Sequence, residues 1–167
     1  MNSREIFFQK VGENNEATKN FKESFNRELD EFQKKTLELL TQIQSWFEGS
    51  AITAKTDRKA INDTIEPSKV NYVVSLFLRN GEKTLSIDPE GLRFAGGITG
   101  SLTVKIINMS RAPNTQTFNL HMRDRALRAQ GVPEQYEGWV IVTSNHAGRV
   151  VEEFNEENFF AKIESFA

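Results

Sequence analysis

No cysteine occurs among the 167 residues. Disulfides, thiol catalysis and cysteine-ligated zinc are therefore excluded. Histidine is nearly as scarce, with only His121 and His146. A metal centre would have to combine these two with carboxylates, and no H-x-x-x-H, H-E-x-x-H or D-x-D spacing anchors one. No metal and no cofactor are expected. Long apolar runs are missing as well. The longest is VVSLFL, residues 73–78, far too short to span a bilayer. The opening MNSREIFFQK lacks the basic-then-apolar layout of a signal peptide. A cytoplasmic protein without a membrane partner is the expectation. Tyrosine and tryptophan number two each against thirteen phenylalanines. Aromatics without polar handles suit a packed core better than a sugar or base platform.

What is present is ordinary for a globular chain, with 38% hydrophobic and 26% charged residues. The net charge of −2 is unevenly spread. Residues 1–50 carry 7 basic and 9 acidic side chains, residues 51–133 carry 12 and 7, and residues 134–167 carry 2 and 7. The economical expectation is internal pairing, with the acidic C-terminal third folded against the basic middle. Nucleic-acid binding is disfavoured, because a basic domain of pI above about 9 is its usual footprint and this chain has a pI near 5.8.

The first organised element is a long amphipathic helix. Phe21, Phe25, Leu29, Phe32, Thr36, Leu39, Ile43 and Trp46 recur at spacings of three and four, the signature of one apolar face. Asn14 or Asn15 offers an N-cap and Gly49 a C-terminal stop, giving a helix over 15–48. From Leu29 onward the spacing is heptad-like, which leaves oligomerisation through this helix open.

Period-two patterns then take over. NYVVSLFLR-NG-EKTLSID reads as a hairpin with Asn80-Gly81 as a two-residue turn, pairing Leu76 with Leu85 and Val74 with Ile87. Asp88-Pro89-Glu90-Gly91 reads as a turn and Ile52–Lys55 as a short edge strand. Leu102, Val104 and Ile106 alternate in a further strand, and so do Phe118, Leu120 and Met122. GWVIVTS and VVEEF complete the set, with a polar loop over 124–138. Asn155 caps a final short helix, with Phe154 and Phe159 at hydrophobic-staple positions. The predicted class is α+β: a long N-terminal amphipathic helix, a central mostly antiparallel sheet of five to seven strands and a short C-terminal helix. Residues 1–49 form the helical segment and 50–167 the sheet with its helix, together one folded unit.

Candidate chemistry is thin. Gly96-Gly97-Ile98-Thr99-Gly100 has no Lys-Ser/Thr after it and precedes a strand, so it reads as a glycine-rich bend and not as a phosphate loop. FNLHMRDRALR, residues 118–128, gathers His121, Arg123, Asp124, Arg125 and Arg128. His121 and His146 could serve as an acid–base pair for phosphodiester cleavage, with Arg123 or Arg125 stabilising the developing charge. A Ser144–His121–Asp124 triad lacks a nucleophile-elbow motif. The leading expectation is a non-enzymatic protein-binding module, such as an immunity protein, inhibitor or accessory subunit of a bacterial toxin or defence system. It would occlude a partner surface through the acidic residues Glu134, Glu137, Glu152, Glu153, Glu156 and Glu157, against a partner with basic groups. The alternatives are the phosphodiester-cleaving enzyme and a structural component assembled through the 15–48 helix.

Overall fold

A computed structural model describes residues 1–125, 132 and 136–167 of the chain. Helix α1 runs over Ser3–Trp46, 44 residues, or about 66 Å at 1.5 Å per residue. Its start is a correction to the reading that placed the cap at Asn14 or Asn15. The cap is Asn2, whose side chain accepts from the Glu5 amide at 2.9 Å while the Glu5 carboxylate accepts from the Asn2 amide at 2.8 Å. This capping box satisfies two end donors reciprocally. Gly12 costs only about 1 kcal/mol inside a helix, and no proline interrupts the segment, so Ile6, Phe7 and Phe8 belong to α1 and not to a separate element.

Seven strands follow as a simple meander, ordered β1 to β7 and antiparallel throughout. They are β1 (Thr53–Ile61), β2 (Asn71–Asn80), β3 (Lys83–Phe94), β4 (Ile98–Ile107), β5 (Thr115–Asp124), β6 (Val140–Asn145) and β7 (Gly148–Glu153). The fold is thus α+β, with the strand count at the top of the expected range. The β2–β3 turn differs from the predicted one. Asn80 stays in the ladder opposite Lys83, so Gly81 and Glu82 are the central residues. Gly81 has φ 61 and no described non-glycine residue has positive φ. That fits a type II′ turn, which needs positive φ at its first central position alone. The register therefore slips by two residues, pairing Leu76 with Ile87 and Leu78 with Leu85. A slip of two keeps every side chain on its predicted face.

Two further boundaries move. Strand β1 spans nine residues and not four, because it pairs with β2 all the way from Thr53–Arg79 to Ile61–Asn71. Asp88-Pro89-Glu90-Gly91 is no turn. β3 runs through it, absorbing Glu90 as a bulge between Pro89 and Gly91, the kind of irregularity that admits a proline inside a strand.

The chain closes with α2 (Glu156–Lys162), capped by the Asn155 side chain, and a 3-10 turn over Glu164–Phe166. Phe154 and Phe159 meet at 5.6 Å between ring centroids, as the staple positions require. One face of the sheet packs on α1. Leu76, Leu78, Leu85, Ile87, Leu102, Val104 and Leu120 lie against Leu29, Phe32, Leu39, Leu40 and Ile43, all buried. Gly100 lets the helix approach, since a Cβ there would meet the Phe32 ring at 2.7 Å. Trp46, Phe47, Phe154, Phe159, Phe160 and Phe166 form an aromatic cluster that locks α2 to the end of α1. A seven-stranded sheet is only about 30 Å across, at some 4.8 Å per strand. A 66 Å helix must overhang it.

Candidate functional site

The alternation of β5 places Phe118, Leu120 and Met122 in the core, as predicted. His121 lies on the opposite face yet is only 7% exposed, and Asp124 only 4%. The His121 Nδ1 lies 2.9 Å from Asp124 Oδ2, and Arg149 of β7 reaches across β6 to the same carboxylate oxygen. Around them Ser101 donates to Glu90 Oε2 at 2.6 Å, and Asn119 donates to the same oxygen at 2.9 Å. Burial, and then the Arg149 charge, push the His121 imidazole from 6.5 down to about 4, against the opposing pull of Glu90. The ring is neutral at pH 7. A carboxylate only accepts, so the Nδ1 proton belongs on the bond to Asp124 and Nε2 carries the lone pair. This group ties β5 to β7 across β6.

The arrangement does not gather the residues that phosphodiester cleavage would use. His146 sits in the turn between β6 and β7, exposed. The partner of His121 across the ladder is Val140, and the turn begins five residues further along β6, roughly 16 Å away at 3.3 Å per residue. One substrate cannot be held within hydrogen-bond reach of both rings. Arg123 is occupied by Glu31 of α1 at 2.7 Å. Arg125 is exposed, and its backbone amide donates to the Gly97 carbonyl. Of the triad Ser144–His121–Asp124, the last two members touch. Ser144 pairs with Arg149 instead, four residues along β6 from Val140. Among the described residues no group of three or more His, Asp or Glu is placed to hold a metal ion.

Charge pairing also differs from expectation. Among the described residues the ion pairs of Arg93 and Arg123 do not go to the acidic C-terminal third, although Lys83 donates to the Ala167 backbone oxygen. Arg93 and Arg123 bond Glu28 and Glu31 of α1, each at 2.7 Å, because α1 and not the C-terminal segment lies against those strand ends. Burial alone would push the Glu31 carboxyl up, but the Lys35 hydrogen bond and the Arg123 charge outweigh it and hold it below its ordinary value. In the C-terminal third Lys162 pairs with Glu152 at 3.1 Å. Glu137, Glu156 and Glu157 are exposed and Glu153 is half-buried at the β7–α2 end. Arg128 and Glu134 lie outside the described residues.

No family model, no curated protein and no solved structure matches the chain.

The most prominent feature is the overhang of α1. Residues 1–23 are exposed throughout, and Phe25 is the first buried position. Phe7 is 60% exposed, Phe8 57% and Phe21 51%, so Phe21 is not the core residue the periodicity suggested. Ile6 and Val11 are exposed too. Where α1 leaves the sheet, Thr18, Phe21, Phe25, Asp63, Ile65 and Arg93 line an open notch of about 390 Å³. Arg93 lies over both phenylalanine rings at 5.1 and 5.4 Å, a cation–π roof. Sequence reasoning found the stripe from Phe21 to Trp46 but not this half of it. The available signal was the N-x-x-E capping box at Asn2. Among the described residues no helix is long and apolar enough to cross a membrane.

Proposed function

We propose that the chain is a non-catalytic protein-binding module, of the kind that serves as an immunity protein, inhibitor or accessory subunit and acts by covering a partner surface. One observation carries this reading: about 30 Å of α1 presents Ile6, Phe7, Phe8, Val11 and Phe21 to solvent, each more than a third exposed even with Arg4 over Phe8 and Arg93 over Phe21. Exposed apolar patches mark contact sites, here one at the tip around Phe7, Phe8 and Val11 and a smaller one at Phe21. The acidic β7–α2 end, with Glu137, Glu152, Glu153, Glu156 and Glu157, supplies a second surface suited to basic groups on the partner. The phosphodiesterase reading loses its support once His121 is engaged with Asp124 and Arg149, and His146 stands apart from it.

The test is affinity capture followed by reconstitution of the recovered partner with purified chain. The wild type is compared with a Phe7→Glu/Phe8→Glu variant and with charge reversal at Glu152, Glu153, Glu156 and Glu157. Weakened reconstitution with either variant supports the surface concerned. Equal binding by all three sinks the surface assignment. A phosphodiesterase activity abolished by His121→Ala or His146→Ala would sink the non-catalytic reading.

A further inference from the structure

We infer that the exposed half of α1 pairs with the same segment of a second copy of this chain, antiparallel, so that the tip of each helix seats in the notch of the other. The inference rests on the reading of that segment as a contact surface and names its occupant. Phe7, Val11, Asn14, Thr18, Phe21 and Phe25 are spaced 4, 3, 4, 3, 4, the alternation of a two-helix seam. The seam is apolar at both ends and polar in the middle. A parallel pair would set Arg4, on the same seam one step before Phe7, against its own copy. An antiparallel pair centred near residue 16 brings Phe7 to the notch beside the buried Phe25 and sets Val11 against Phe21 and Asn14 against Thr18, twice over, with Arg4 near Glu28, which Arg93 already holds. Apolar meets apolar, and the two central polar pairs fix the register.

The notch supports the same geometry independently. It opens beside Phe21 and Phe25, where this pairing delivers the partner's Phe7. Phe8 of the partner falls close to Lys22, a further cation–π contact. Covering Phe7, Phe8, Val11 and Phe21 in both copies removes roughly 800 Å² of apolar surface, taking a phenylalanine as about 200 Å². With the flanking polar area this reaches the lower range of specific interfaces, about 1,200 Å². The dimer would be a concentration-dependent one.

Sedimentation equilibrium at tens of micromolar should give twice the 19.1 kDa chain mass. The Phe7→Glu/Phe8→Glu variant should return to the monomer mass with its circular dichroism unchanged. Orientation is read by a nitroxide on Ser3→Cys, convenient in a chain without cysteine. Antiparallel pairing puts the two labels about 40 Å apart, from 1.5 Å per residue, and parallel pairing puts them about 10 Å apart. A wild type that stays monomeric, a dimer indifferent to the Phe7 and Phe8 changes, a short label distance, or a monomer that instead binds phosphatidylglycerol vesicles would each overturn the inference. If the wild type is monomeric yet reconstitution with a captured partner still needs Phe7 and Phe8, self-pairing fails while the binding-module reading stands.

Discussion

Lowering the pH from about 6.5 to 4 should cost this protein about 3 kcal/mol of stability through His121 alone. In the folded chain the imidazole stays neutral down to about 4, because it is buried and the Arg149 guanidinium lies beside it. In the unfolded chain it takes a proton near 6.5. A depressed native value means that the contribution is fully present above 6.5 and is lost as the pH falls toward 4. The deficit is about 2 kcal/mol at pH 5 and about 3 at pH 4, from one linked proton. Urea unfolding of the wild type and of His121→Gln over this range measures it. The glutamine amide can still donate to Asp124 but does not titrate. Carboxylate protonation weakens both proteins alike, so the difference between the two curves isolates the imidazole. The difference should narrow by about 3 kcal/mol from pH 7 to pH 4. Parallel curves, or a nitrogen-15 spectrum showing His121 protonated at pH 6, would refute the account of this site.

Four substitutions test the packing. Gly100→Ala must place a methyl group 2.7 Å from the Phe32 ring, at a φ of 77; a loss of about 2 kcal/mol or more is expected in denaturant titration. Thr36→Val removes a fully buried hydroxyl that has no hydrogen-bond partner among the described residues while keeping the side-chain shape, and should raise stability by about 1 kcal/mol. Phe8→Ser should change monomer stability by less than about 0.5 kcal/mol, whereas Phe32→Ala, at 0% exposure, should cost about 3 to 5. A large effect at Phe8 in dilute monomer would mean that α1 folds back onto the domain.

Much of the fold is written locally. The change from 3.6 to period two after residue 50 separates helix from sheet, and the parity of each strand assigns its buried face. Parity survives even where the register does not: the β2–β3 slip of two leaves Leu76, Leu78, Leu85 and Ile87 facing the core. Pro89 was misread because proline and glycine in succession signal a turn, while a bulge uses the same residues. The reach of the core along α1 was not legible. Phe21 and Phe25 share one stripe, yet the first is 51% and the second 4% exposed. What divides them is where the sheet ends, a tertiary fact. The His121 site is similar. Its ring and Asp124 are three residues apart, but Arg149 joins them only through the β5–β6–β7 register. Glu90 comes to it from β3, through Ser101 and Asn119.

The two halves of α1 differ in what keeps them helical, and this bears on how the exposed half can work. From Phe25 to Trp46 the helix is held by the core. From Ser3 to Glu23 it has its own backbone bonds, one capping box, and short-range contacts such as Gln9 with Glu13 and Arg4 over Phe8. An isolated helix of some twenty residues is marginal in water, because nucleation is costly. Here the buried half supplies the nucleus, so the exposed half extends it at little cost and frays from the tip. In dilute solution amides of residues 3–20 should therefore exchange with solvent orders of magnitude faster than those of 29–43, which open only with the domain. Pairing with a second copy would close that gap. Exchange over residues 3–20 should slow as the concentration rises, and should not slow in the Phe7→Glu/Phe8→Glu variant. Uniform protection along all of α1 in dilute monomer would show that the exposed half is braced within the chain, and the case for a partner there would fall.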